Sequence, residues 1–202
     1  MIHIAGKAAR ILYAMILLAF MSACSRILTF SPERAAVQEV LSNTDGQVDP
    51  SSVQVLQKLE MDESVLVLVS YHKNNPEHRQ ISECLMLYET LKRGAGWQTG
   101  SGGGGCGPVA DHPEVIGASS GQNRNDEQAF SHADGLVYKE EVRSIRVTWE
   151  DGEEQTVDVV NGSYLTFRDG LHTVEQIDAL DADGNVIYTH ESPEPAPGKE
   201  AP

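Results

Sequence analysis

The chain has 202 residues and a formal net charge of −15, from 15 Lys and Arg against 30 Asp and Glu. Its length suits one domain or two small ones, and a hydrophobic content of 40% argues against disorder throughout. The acidic balance argues against nucleic acid as a partner and against a polybasic grip on anionic lipid, because both rely on clustered Lys and Arg.

The first thirty residues carry the clearest signals. Lys7 and Arg10 precede an uncharged apolar run from Ile11 to Met21. That run is too short to cross a roughly 30 Å hydrocarbon core comfortably, but it suits the apolar region of a signal peptide. Met21-Ser22-Ala23-Cys24 follows directly. This order of basic start, apolar run, two small residues and cysteine resembles the lipobox of bacterial lipoproteins, with Met21 where leucine is usual. The resemblance implies lipid transfer to the Cys24 thiol, cleavage before Cys24 and acylation of the new amino group. Several acyl chains would give stable anchoring to a bilayer on the extracytoplasmic side. In a bacterium with two membranes, Ser25 would be compatible with the outer one. Removing residues 1–23 takes away Lys7 and Arg10 and no acid, which moves the charge from −15 to −17.

Ser31-Pro32-Glu33 opens a predicted helix, with an N-cap, a proline at the first position and an acid in the first turn. Residues 24–49 are therefore expected to be a lipid-anchored tether with a short helix. Residues 50–190 are expected to be a β-rich body, and residues 191–202 a disordered tail rich in Pro and Glu.

Within the body, Ser64 to Tyr71 is a near-continuous β-branched and apolar run, as in a strand buried on both faces. Ile81 to Lys92 predicts a second strand, running into Gly94-Ala95-Gly96-Trp97. Arg143 to Trp149 alternates polar with mostly apolar residues, as in a half-buried strand. Turn pairs at Asp151-Gly152, Asn161-Gly162, Asp169-Gly170 and Asp183-Gly184 follow at intervals typical of antiparallel architectures. The expected fold is mainly β, an antiparallel sandwich or barrel-like body, immunoglobulin-like in style, with a short N-terminal helix. The mature chain is similar in these turn signatures to small β-rich envelope lipoproteins without an assigned activity.

Four features could carry chemistry. With Cys24 lipidated, Cys84 and Cys106 form an even pair, and a disulfide is the expected state in an oxidising compartment. The glycine-rich stretch from Gly94 to Gly107 lacks the Gly-Lys-Ser/Thr ending of a phosphate loop, so a flexible hairpin tip is expected, with Trp97 as a candidate partner contact. Asp181, Asp183 and Gly184 fit inner positions of a calcium loop, but Ala179 and His190 occupy its end-ligand positions, so an Asp-Gly turn is expected instead. The histidines include no helical pair with a Glu of the zinc-protease kind.

No cofactor or metal is implied. The favoured function is a non-enzymatic binding or adaptor module of the cell envelope. It would be held to the bilayer through Cys24, with an envelope protein as partner and no nucleic acid. The alternative is an envelope hydrolase or thiol-dependent enzyme using Cys106 and His112, with Asp111 alongside.

Overall fold

The computed structural model describes residues 29–44, 47–75, 80–109, 114–124 and 129–191. The expectations for residues 1–23 and 192–202, and for Cys24, Asp111 and His112, lie outside the described residues. Helix α1 spans Pro32–Asn43 and starts as its sequence predicts. The Ser31 hydroxyl accepts a hydrogen bond from the Arg34 amide, Pro32 begins the helix and Glu33 lies in the first turn. Buried Ala35, Ala36 and Val40 seat α1 on the first sheet, so this helix belongs to the body more than to a tether.

That sheet is a meander of β1 (Gln54–Glu60), β2 (Ser64–Asn75), β3 (Gln80–Arg93) and β4 (Gly96–Pro108), in the order β1-β2-β3-β4. The second sheet holds β5 (Ile116–Arg124), β6 (Ala129–Val137) and β9 (Ser163–Asp169), in the order β5-β6-β9. The third holds β7 (Ser144–Trp149), β8 (Glu154–Asp158), β10 (Val174–Leu180) and β11 (Val186–Glu191), in the order β11-β10-β7-β8. All pairings within the three sheets are antiparallel.

Three apolar clusters show how these layers stack. Val65, Val67, Val69 and Tyr71 of β2 face α1, with Ala36, Val40 and Cys84 in the same cluster. Leu66 and Leu68, on the opposite face of β2, meet Leu87, Phe130 and Leu165 between the first and second sheets. Ile116, Ala133 and Tyr164 meet Ile145, Val147, Trp149 and Ile177 between the second and third. The layers therefore run helix, first sheet, second sheet, third sheet. The fold is a stack of sandwiched sheets, and none of them closes into a barrel. Strand β2 is buried on both faces because it lies between the helix and the second sheet. Each of its buried Val and Leu side chains contributes about 1.5–3 kcal/mol.

The four turn pairs are present, and the glycine of each has a positive φ. Asn161 and Gly162 both do, at 52° and 68°, as tight mirror-image turns require. Two of the four carry the chain from one sheet to another, the first of them closing only the short antiparallel bridge between Val160 and Ser163. Asn161-Gly162 carries the chain from β8 in the third sheet to β9 in the second, and Asp169-Gly170 leads back to β10.

The glycine-rich stretch corrects an expectation. The tip of the β3–β4 hairpin is Gly94-Ala95 alone, and Gly96–Pro108 is a strand of 13 residues paired with β3 along its length. Backbone pairing needs no side chains, and β3 supplies the cover that β4 lacks.

Candidate functional site

The first and second sheets are tied together along one side, and along the other they part except where Asn123 reaches across to Ser101 and Glu89. On the tied side, the Gln57 side-chain amide donates to the Ser163 carbonyl at 2.7 Å, and the Asn161 amide donates to the Leu56 carbonyl at 3.0 Å. On the other side lie β4 and β5, each an end strand of its sheet. Two adjoining clefts open between them, of about 300 and 150 Å³.

The cause is the sequence of β4 read in two registers. Gly102 and Gly104 lie opposite Tyr88 and Met86 on the helix side of the sheet. Those side chains lie across them, so a Cβ on Gly102 would come within 2.5 Å of the Tyr88 ring. Gly103 and Gly105 lie opposite Leu87 and Leu85 and face the second sheet. A Cβ on either would meet nothing within 4 Å, and the same holds for Gly107. The missing side chains on this face are the space of the slot. Leu85 and Leu87 form its apolar floor.

The cross-strand disulfide Cys84–Cys106 pins this weakly propensive strand. The expected pairing is therefore present, and Cys106 sits at one end of the slot as half of a disulfide. Trp97 sits at the start of β4, partly buried against the cluster under α1. Its backbone exchanges two hydrogen bonds with Thr29, at 3.0 and 2.8 Å. The Trp97 side chain is partly buried there and also lines the concavity beside the β1–β2 and β3–β4 turns.

Polar groups mark the two ends. At one, buried Glu89 accepts from the Ser101 hydroxyl at 2.9 Å and from the Asn123 amide at 3.0 Å. Nearby, His132 Nδ1 lies 2.9 Å from Oδ1 of the buried Asp134. The His132 ring lies across Gly121, where an added Cβ would come within 2.7 Å of Nε2. At the other end, the Tyr138 ring covers Gly117 beside Glu83. Burial, then the charges of Glu83 and Glu114, pushes the Tyr138 phenol above its ordinary value. The arrangement offers an apolar trough, exposed backbone and hydrogen-bonding ends, which suits holding a ligand.

A wider concavity of about 730 Å³ lies by the β1–β2 and β3–β4 turns. Its lining interleaves Lys58, Lys92 and Arg93 with Glu60, Asp62 and Glu63, so it presents no single sign of charge. The calcium-like loop is a turn. The Asp181 carboxylate accepts from the amides of Asp183 and Asn185 and from the Asn185 side chain. These bonds, the Asn185 side chain foremost, hold it below its ordinary value. Among the described residues, no group of three or more His, Cys, Asp or Glu could hold a metal ion.

Sequence reasoning missed Glu89, Ser101, Asn123, His132 and Asp134 as a group, because they come from four strands and share no spacing. The available signal was the alternation inside the glycine run. Among the described residues, no helix is long and apolar enough to cross a membrane. The chain matches no protein-family model, no curated protein and no solved structure.

Proposed function

We propose that this protein is a lipid-anchored, extracytoplasmic binding or adaptor module of a bacterial envelope. The slot between β4 and β5 is its ligand-holding face. The observation that carries the reading is the bare, disulfide-pinned strand β4 beside an open trough. A strand kept free of side chains on the face that opens toward a neighbouring sheet is built to leave room for something. The Cys84–Cys106 bond suits an oxidising compartment, and Met21-Ser22-Ala23-Cys24 supports the anchor. The thiol-dependent alternative needs a free Cys106, and the disulfide removes that nucleophile.

The test uses the protein in its native membrane with a photo-crosslinking residue at one position. Placed at Gly107, which faces open space, the probe is expected to form a defined adduct. Placed at exposed Thr156 on β8, in the third sheet, it is expected to form none. Equal adducts at both positions, or none at Gly107, would refute the slot as the binding face. The anchor is tested separately: Cys24→Ala should abolish labelling by a fatty-acid probe, and a label that persists would refute it.

A further inference from the structure

We infer that the outer edge of β4 pairs with an extended, cationic peptide segment of another protein. The inference rests on the binding-module reading and names its ligand class. Strand β4 is the end strand of the first sheet, bonded to β3 on one side. On the other side, among the described residues, it pairs only with Thr29, at Trp97. That bridge is antiparallel and exchanges two bonds, so a strand already docks at the start of this edge. Beyond it the edge continues to Pro108.

End strands are usually blunted by lysine, by internal proline or by shortness, because unpaired amides and carbonyls invite another strand. The segment Gly102–Gly107 has none of these protections and is exposed throughout. The disulfide at Cys106 holds it extended. An added strand would bond to the β4 backbone, and alternate side chains would choose the guest. Those on the slot side would lean across bare Gly103 and Gly105 toward Leu85 and Leu87, which favours small or β-branched apolar residues. Charge selects the rest. The chain carries −15 overall. Two copies of the chain repel each other, whereas a guest with lysines at its outer positions is attracted.

The probe is an end-blocked, fluorescent octapeptide of alternating valine and lysine, titrated into the oxidised full chain in detergent. Saturable binding is expected, with slowed amide exchange confined to Gly102–Gly107. Gly105→Val fills open space on the slot side, so it should keep the fold and weaken binding by about tenfold or more. Replacing alternate valines of the probe by proline should abolish binding, because proline cannot donate to the ladder. No binding of the valine-lysine probe would overturn the inference, while slot adducts in the membrane would still stand for the broader reading. Equal binding of the proline peptide would show charge attraction alone and would also overturn it. So would concentration-dependent dimers protecting the same amides, since these would make a second copy the occupant.

Discussion

Replacing Gly102 and Gly103 by alanine, one at a time, asks whether β4 is an ordered strand with two unlike faces. The two residues are adjacent and both exposed. A Cβ on Gly102 would stand 2.5 and 2.7 Å from two carbons of the Tyr88 ring, while a Cβ on Gly103 would meet nothing within 4 Å. Tyr88 is only 7% exposed and packed in the cluster under α1, so its ring has little room to retreat. Overpacking of this kind costs about 1–3 kcal/mol. At Gly103 the substitution removes backbone freedom from the unfolded chain and gains about 0.4–1 kcal/mol. The loss of unfolded-chain freedom is common to both variants, so they should differ by the overpacking cost alone, about 1–3 kcal/mol, or about 2–12 °C in Tm for a chain of this size. Thermal unfolding followed by circular dichroism under non-reducing conditions measures the gap. Equal midpoints, or a loss at Gly103 as large as at Gly102, would refute the two-faced strand.

Three further outcomes follow from the packing. Replacing Cys84 and Cys106 together by serine should cost about 3 kcal/mol in denaturant unfolding, for the loop closed by a sequence separation of 22. Tyr164→Phe should raise stability by about 1 kcal/mol, because the buried hydroxyl has no hydrogen-bond partner among the described residues, and a lower midpoint would count against that orphan hydroxyl. On the third sheet, burial pushes the Asp178 carboxyl up, but hydrogen bonds from Arg146, Thr189 and Gln176 outweigh it and hold the group below its ordinary value of 3.8. A depressed carboxylate stabilises the fold above its unfolded value and loses that contribution as pH falls through the folded one. Denaturant midpoints should therefore fall between about pH 5 and about pH 2, and this part of the fall should be missing in Asp178→Asn.

Where one side of a strand meets an apolar layer and the other meets solvent, the pattern was plain to read. Ser144–Trp149 alternates in burial as its residues alternate in polarity, and Val65 to Val69 is buried on both faces. The N-terminus of α1 was legible because capping is local chemistry. The second sheet was not. Strands β5 and β6 read Ile-Gly-Ala-Ser-Ser-Gly-Gln-Asn-Arg and Ala-Phe-Ser-His-Ala-Asp-Gly-Leu-Val, with glycine and polar residues where strand formers are expected. Their composition answers to neighbours that no local window contains. A Cβ on Gly135 would fall 1.9 Å from the Gly117 carbonyl, and Asp134 is buried because His132 pairs with it. The slot was hidden for the same reason. A glycine run looks flexible until one sees that alternate members are covered by Tyr88 and Met86, and that the remainder face empty space.

The order of strands along the chain bears on how the molecule assembles. The first sheet is a meander in which every strand pairs with its neighbour in sequence. Such local closures lose little chain entropy, so this sheet is the natural first unit to form. The other two sheets are interleaved. Strand β9 leaves the end of β8, crosses to β6 and sends the chain back to β10 beside β7. Neither sheet can be completed without the other, and β9 acts as the latch between them. One wall of the slot can therefore exist before its opposite wall, so a partly folded chain displays the edge of β4 with nothing facing it. Until then that edge is open to chance strand pairing, and the late arrival of β5 and β6 ends that exposure on the slot side.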